Sequence, residues 1–410
     1  MTRITRRHAL ILGCSLGSGA LLYDCLRTKR NVFEENARLS KLSNADIRDA
    51  PLDIAPVGDL VNTVPRHETR SILLRLLPAW VSIKTGRVLH AYRLWKADAT
   101  FPPDLFPNLY NYKSFSGREL SKFLFDHRYF ASLLPGESPL LLKTPSGVNV
   151  RNVPGGLEGH FVSTLGHSDD LLASCGEVGM SSRTEIWAFD LSLNRSEPAT
   201  IADLVLESVA RFTLRQELPW TAESLARYLS SRRQWFNRFG ESCSFDEVVL
   251  RMLALSPGEG ACFGTHTLNS LVCLLRLSEQ CLLISGYVKD RVVSHLRQIS
   301  AHLDAISKGG AWDGSWAKKE GNNDIERSSA ASMLACTGHH LEWIAIAPPD
   351  LRPKQRVIES AISSVFRFLN SGWLAHPSAA TDAYLDLSHL GRALCLLANR
   401  DPSFIVRHWA

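Results

Sequence analysis

The chain has 410 residues, of which 45% are hydrophobic and 21% are charged, and its formal net charge is +5. These proportions are typical of a folded globular protein and exclude a disordered chain. Acidic and basic residues are mixed, and no long basic run follows the first thirty residues. Because nucleic-acid binding needs a clustered basic surface, we expect no nucleic-acid partner.

The amino-terminal segment, residues 1–27, has a basic head followed by an apolar stretch from Ala9 to Tyr23. This stretch has the length of a signal peptide and is shorter than the roughly 20 residues that a spanning helix needs. The letters "TRRHAL" resemble a twin-arginine export signal. We therefore expect an export signal or an uncleaved membrane anchor, with the folded body outside the cytoplasm. The alternative is a flexible leader with a short apolar helix.

Residues 28–65 are polar and end in a stretch with several prolines and aspartates, which predicts a linker. Over residues 66–244, apolar residues recur every three or four positions, which predicts a helical half that forms part of a ring or a lid. In "SGRELSKFLFDHRYFASLL" a serine stands three residues before a glutamate, as in a capped helix. A short hairpin at "SG" is expected in loop-rich residues 135–160, and strands are otherwise scarce.

Residues 245–410 are predicted to form helices in pairs, joined by short turns rich in Gly, Pro and Ser. The segments "HLRQISAHLDAIS" and "VIESAISSVFRFLN" are each followed by a tryptophan-bearing turn and an Ala/Leu-rich helix, at an offset of roughly sixty residues. Helix pairs that cannot bury their apolar faces alone must stack on neighbours. The predicted fold class is therefore all-α, an α/α toroid formed by a closed or partial ring of helix pairs, with few or no strands.

One turn resembles a known repeat. "LDAISKGGAWDGSW", followed by "SSAASMLA", is similar to the repeat of squalene–hopene cyclases and protein prenyltransferases, in which a glycine-rich turn with Asp-Gly-x-Trp joins two helices. The resemblance covers about residues 245–400 and implies that the turn tryptophan packs across the joint between helix pairs. The cyclases' Asp-x-Asp-Asp motif and the prenyltransferases' zinc set have no counterpart here, so the resemblance implies the fold and not the reaction. The residues that match the turn are Asp313, Gly314, Ser315 and Trp316.

A second, weaker resemblance concerns two histidine-bearing segments. "THTLNSLVCLLRL" and "TGHHLEW" are similar to inner helices of the N-acylglucosamine 2-epimerase family, where such histidines act as acid and base on a sugar. The resemblance implies an acid–base pair formed by His266 and either His339 or His340, with Glu342 beside them.

Polar residues lie in apolar surroundings on three of the predicted helices. The amino ends of the inner helices of a ring meet at one mouth of its cavity, so these residues could converge there. We predict His266, His339 and Glu342 as catalytic, because imidazole titrates at about 6.5 and serves as acid or base near neutral pH. The predicted binding residues are Glu259, His340, Trp343, Asp382 and His389.

Helical spacing separates the two adjacent histidines. His339 and Glu342, three residues apart, share a face, whereas His340 shares its face with Met333 and Cys336. His339 is therefore the candidate for a cavity, and His340 is expected in a packed position with one hydrogen bond. For every such histidine the alternative is a structural one, in which it caps a helix end or bonds a carboxylate.

A metal site is a further possibility for these residues. Cys262 and His266 lie four residues apart, which would present two zinc ligands on one helix face, with a third from His339 or His389. Glu259 has a structural alternative as an acid at the start of a helix. No two of the nine cysteines form a Cys-x-x-Cys pair, and their odd number argues against a complete set of disulfides.

Two functions follow from these patterns. The first is an enzyme with a His/Glu acid–base site that acts on a carbohydrate or isoprenoid-like small molecule, with no cofactor unless zinc is bound. The alternative is a non-catalytic helical scaffold, held at a membrane by its amino-terminal segment, that binds a protein or glycan partner.

Overall fold

The computed structural model describes residues 42–78, 83–101, 115–152, 165–229, 234–307, 310–317, 330–372 and 383–409. The predicted export or anchor segment and the predicted binding residue Asp382 lie outside these ranges. Within them, every helix is too short or too polar to cross a bilayer.

The described residues form fourteen α-helices, and these supply most of the core. In chain order they are α1 (Arg66–Arg75), α2 (Thr85–Trp95), α3 (Gly117–Phe125), α4 (His127–Leu133), α5 (Asp170–Glu177), α6 (Ile201–Arg211), α7 (Pro219–Tyr228), α8 (Phe245–Leu253), α9 (Thr265–Gln280), α10 (Gly286–Ile306), α11 (Ala330–Ile346), α12 (Gln355–Asn370), α13 (Tyr384–Ala398) and α14 (Pro402–His408).

Six strands accompany the helices, so the predicted all-α toroid with few or no strands is wrong and the fold is mixed. The four-stranded sheet has the order β2-β1-β3-β4, with β1 parallel to β3 and the other pairs antiparallel, and β5 pairs with β6 in a separate hairpin. The strands are β1 (Leu141–Thr144), β2 (Gly147–Val150), β3 (Glu185–Asp190), β4 (Arg195–Thr200), β5 (Gln234–Phe236) and β6 (Ser242–Ser244).

The missed strands have a local explanation. The hairpin predicted at "SG" is present as β1 and β2, but β3 was overlooked. Its letters "EIWAFD" alternate, and Ile186 and Ala188 are buried on one face as a strand requires. Asn194, with φ of 49°, forms the left-handed turn to β4, a conformation that asparagine tolerates. The alternation is only six residues long, between segments with a clear helical period.

Six of the helices pack in a closed order. α2 contacts α5, α5 contacts α7, and the order continues through α9, α11 and α13 before returning to α2. Within α9, every residue from Thr265 to Leu275 is buried, as expected for a helix surrounded by protein. By contrast, α10 buries one stripe, which includes Val288, Val292 and Leu296, and so packs on the outside of this cycle.

The backbones of α11 and α13 approach closely inside the cycle. A Cβ added to Gly338 on α11 would lie 2.8 Å from the backbone nitrogen of Leu390 on α13, a distance that side chains do not tolerate. Glycine therefore allows the two backbones to touch. The contact brings His339 and His389 together, with their ring centroids 3.6 Å apart.

Charged residues from five of these helices, with Asn269 from the sixth, meet in a buried layer at the centre of the cycle. Arg93 and Arg392 both bind Glu177, and Arg392 also binds Glu342 at 3.0 Å. Burial raises the pKa of Glu177, but Arg392 and Arg93 outweigh this effect and lower the pKa to about 2. On α7, Arg227 binds Glu223 at 3.1 Å, and Asn269 of α9 donates to the same carboxylate at 3.1 Å. The layer, which we call the ionic layer, consists of Arg93, Glu177, Glu223, Arg227, Asn269, Glu342 and Arg392.

Candidate functional site

Cys262 lies in a strained turn immediately before α9. Cys262, Phe263 and Gly264 have φ values of 48°, 60° and 76°, all in the left-handed region. The hydroxyl of Thr265, the first residue of α9, donates to the carbonyl of Cys262 at 2.6 Å. The prediction that Cys262 and His266 share one helix face is wrong, because consecutive left-handed residues cannot belong to a right-handed helix.

The surrounding structure holds this turn in place. The indole N–H of Trp316 donates to the carbonyl of Phe263 at 2.9 Å. A Cβ on Gly314 would lie 2.5 Å from the Phe263 ring, so only glycine fits beneath it. A non-glycine residue in the left-handed region costs roughly 1–3 kcal/mol and persists only when its neighbours enforce it. Residues of the predicted Asp-Gly-Ser-Trp turn thus support the backbone beside Cys262.

Imidazoles surround the thiol. The donor atoms of Cys262, His167 and His266 all lie within 4.8 Å of one another. Burial raises the pKa of Cys262, but the imidazoles of His266, His339 and His167 outweigh this effect. They lower the pKa well below its ordinary value. The three imidazoles therefore favour the thiolate over the thiol at this position.

Glu217 orients His167 toward the thiol. Nδ1 of His167 donates to the Glu217 carboxylate at 3.0 Å, which leaves Nε2 for Cys262. Burial lowers the pKa of His167, but hydrogen bonds to Cys262 and Glu217 outweigh it and raise the pKa to about 11. The three side chains form an ordered series of carboxylate, imidazole and thiol.

His266 has a different hydrogen-bonding state. The indole N–H of Trp220 donates to Nδ1 of His266 at 3.2 Å, so the proton of the neutral ring lies on Nε2. Nε2 is buried and has no hydrogen-bond partner among the described residues. It is therefore a donor that faces the thiol and the neighbouring rings, of which His339 lies with its centroid 4.6 Å away.

His339 and His389 share one carboxylate. Oε2 of Glu342 lies 3.4 Å from Nδ1 of His339 and 3.2 Å from Nδ1 of His389. Burial lowers the pKa of His339, but Cys262 and Glu342 outweigh it and raise the pKa to about 9. Burial and the adjacent His339 lower the pKa of His389 to about 3. The pair therefore holds its positive charge on His339.

Glu342, predicted as catalytic, lies beneath the histidines in the ionic layer. Arg392 donates to Oε1 at 3.0 Å, and Arg93 lies 3.5 Å from the same oxygen. Burial raises the pKa of Glu342, but these arginines and His389 outweigh this effect and lower the pKa well below its ordinary value. The carboxylate is occupied on both oxygens and positions the imidazoles.

The other predicted residues have local roles. Nδ1 of His340 accepts from the buried indole of Trp343 at 3.0 Å, and its ring packs edge-on against Trp316. His340 thus lies in a packed position with one hydrogen bond, as helical spacing predicted, and burial lowers its pKa to about 3. Glu259 is exposed and accepts from the backbone N–H of Ser256 at 2.9 Å.

Two cavities meet at the thiol. The smaller, of about 100 Å³, is lined by His266, His339 and His389, and the larger, of about 740 Å³, is lined by Glu217 and Glu259. Cys262 and His167 line both. Cys262 is partly exposed and forms part of the wall of the larger cavity.

The same side chains form two possible sets of metal ligands. One set is His167, Cys262 and His266, and the other is His266, His339 and His389, each with donors within 4.8 Å. Zinc bonds of about 2.0–2.3 Å require donors closer together than that upper bound. If Nε2 of His266 bound the zinc ion, the proton on that nitrogen would also have to leave. Thiol and imidazole are nevertheless zinc donors, and Glu217 and Glu342 support the rings as carboxylates do around metals.

Sequence reasoning missed His167 and Glu217. The serine and aspartates of "HSDD" suit the start of a helix, but α5 begins at Asp170, and its N-cap Asp169 has φ of 60° and no side-chain capping bond. The Asp169 carboxylate instead accepts from Ser208 at 2.9 Å. The available signal was position, because His167 immediately precedes an inner helix, as Cys262 does.

Comparisons with models of protein families, with curated proteins and with solved structures found no match to this chain. The two family resemblances in the sequence therefore stay predictions.

Proposed function

We propose that the protein is an enzyme of acyl transfer or acyl hydrolysis in which Cys262 is the nucleophile. The observation that carries this proposal is the series Glu217, His167 and Cys262 at the wall of the 740 Å³ cavity, with the carboxylate 3.0 Å from the imidazole. A nucleophile, an acid–base group and a third group that orients it are the recurring parts of such sites.

The chemistry uses the groups in that order. The Cys262 thiolate attacks the acyl carbon, the sulfur–carbon bond forms, and the His167 imidazolium gives its Nε2 proton to the leaving group. Neutral His167 then takes a proton from water, whose oxygen attacks the thioester. The thiolate leaves, and His167 is an imidazolium again, so protons and electrons balance over the cycle.

The backbone around Cys262 suits the charge that develops during attack. The first N–H groups of a helix lack intrahelical acceptors, and the N-cap of α9, Gly264, has no side chain to bind them. The first of them, on Thr265, donates to the carbonyl of Cys262, so in this proposal the N–H groups that follow it and the positive end of the helix stabilise an oxyanion. The strained turn fixes the sulfur relative to them.

His339 and His266 support the thiolate from the other side. His339 places a second cationic ring at the sulfur, and His266 presents an Nε2–H donor. In this proposal they stabilise the nucleophile, and Glu342 acts through them as a positioning residue. The carbohydrate or isoprenoid nature of the substrate, which rested on resemblance, stays a prediction.

Alkylation of the thiol tests this function. Purified protein is treated with iodoacetamide at neutral pH, and peptide mass spectrometry follows each cysteine with time. Cys281, which is also partly exposed, is the internal reference. We expect Cys262 to react at least about tenfold faster than Cys281, because its thiolate is the nucleophile. Equal rates, or a rate for Cys262 unchanged by His167→Asn, would refute the proposal, as would full 4-nitrophenyl acetate turnover in Cys262→Ser.

A zinc centre is the second candidate function, favoured by the two ligand sets that share His266. Zinc lowers the pKa of a bound water to about 7 and polarises acyl oxygens. Elemental analysis of the purified protein separates the two functions. One equivalent of zinc that is lost in Cys262→Ser, together with faster Cys262 alkylation after chelation, would favour the metal. Metal-free protein with a fast thiol would favour the nucleophile.

A further inference from the structure

Two arginines and an apolar wall line the 740 Å³ cavity. Arg215 and Arg251 line it, both are exposed, and neither forms an ion pair or side-chain hydrogen bond within the described part of the chain. The apolar wall is formed by Leu214, Leu218 and Leu255. Two free guanidiniums beside leucines are suited to a molecule with both an anionic group and an apolar part.

Neither glutamate of this cavity is paired with these arginines within the described residues. Glu217 is paired with His167 at 3.0 Å, and Glu259 is engaged by the N–H of Ser256. The amino terminus of α9, which lacks a side-chain cap, adds its positive end to the same region. The two guanidiniums and this helix end therefore offer donors to an anionic group in the cavity.

We infer that the cavity binds an acyl compound that carries a carboxylate or phosphate, with Arg215 and Arg251 holding the anionic group and the leucines holding its apolar chain. That the ligand is an acyl compound rests on the proposed function. That the cavity binds an anion with an apolar part does not depend on it. A volume of about 740 Å³ is within the range that accommodates a small organic ligand.

A matched pair of fluorescent probes tests the binding without turnover. 8-Anilinonaphthalene-1-sulfonate is an apolar anion, and N-phenyl-1-naphthylamine is its neutral counterpart. We expect the double variant Arg215→Gln/Arg251→Gln to bind the sulfonate about tenfold more weakly and the neutral probe within about twofold of wild type. The matched control Arg356→Gln removes an exposed arginine outside the cavity and should change neither affinity.

Equal loss of both probes, or unchanged sulfonate binding in the double variant, would overturn the inference. A second arm uses 4-nitrophenyl hemisuccinate and 4-nitrophenyl butyrate, which share chain length and differ in charge. The double variant should raise KM for the hemisuccinate with little change in kcat. If probe binding behaves as expected while neither ester is hydrolysed, the anion site holds and the proposed acyl chemistry fails.

Discussion

The indole N–H of Trp316 donates a 2.9 Å hydrogen bond to the carbonyl of Phe263, the residue that follows Cys262. The bond joins the turn after α10 to the turn before α9. Because Phe263 has φ of 60°, its carbonyl points in a direction that ordinary helical or extended backbone would not give. Trp316 thus links the Asp-Gly-Ser-Trp turn to the turn that carries Cys262.

Trp316→Phe should reduce Cys262 alkylation about tenfold and destabilise the protein by about 1 kcal/mol, since it removes one buried hydrogen bond and frees the turn. Trp312→Phe is the matched control. Trp312 is equally buried, but its indole nitrogen has no partner among the described residues. Time courses by mass spectrometry and urea unfolding measure the two effects. Equal alkylation in both variants would contradict a role for the Trp316 bond.

Glu217→Gln should slow alkylation of Cys262 and ester turnover by about a hundredfold, because the amide no longer favours the tautomer and charge that His167 needs. Glu259→Gln changes a carboxylate of the same cavity that contacts a backbone N–H and no histidine. It should stay within about twofold of wild type. Parallel loss in both variants would show that cavity charge, and not imidazole orientation, matters.

Glu177→Gln should lower the free energy of unfolding by about 3 kcal/mol at pH 7, because it breaks a buried ion network. Its pKa in the folded protein is depressed to about 2. The stabilisation is therefore present above the unfolded value near 4.5 and is lost as the pH falls toward 2. Urea unfolding of both proteins between pH 7 and 3 should show the difference shrinking.

The exposed carboxylate of Glu359 provides the control for that series. Glu359→Gln should leave a small difference from wild type, within about 0.5 kcal/mol, at every pH. A Glu177→Gln difference that stays constant down to pH 3 would mean that the Glu177 carboxylate is not held ionised by its arginines.

Gly338→Ala should destabilise the protein by about 2 kcal/mol, because the new methyl group meets the backbone of Leu390 at 2.8 Å and forces α11 from α13. Gly286→Ala, in the first turn of α10, meets no atom within 4 Å. This substitution should stabilise the protein by about 0.5–1 kcal/mol, because alanine reduces the conformational entropy of the unfolded chain. Thermal melts compare them, and equal effects would refute close packing as the cause.

The helices were largely predictable from the sequence because each carries its own pattern. Apolar spacing located α9 to α13, and the serine–glutamate pair marked α3, where Ser116 and Glu119 form the capping box. The same spacing separated His339 from His340. One predicted helix after Ser116 is broken, since Asp126 ends α3 in extended geometry and caps α4.

The site was less predictable because its parts come together only through tertiary packing. His167 precedes α5, and Glu217 precedes α7. Both lie more than roughly forty residues before Cys262 in the chain, and no local pattern connects them with it. The positive φ at Cys262 depends on Trp316 and Gly314 from another turn. Strand β3 was not predicted because its six alternating residues are too few to stand out between helical segments.

The ionic layer contains three carboxylates and three guanidiniums, supplied by five helices, with the Asn269 amide from the sixth. Each charge finds its counterpart on its own or a neighbouring helix. An isolated charge in such an interior costs several kcal/mol. The charges on α2, α5, α11 and α13 pair only between helices, so a different order of these four helices would leave charges without a counterpart, a constraint that apolar contacts alone do not impose.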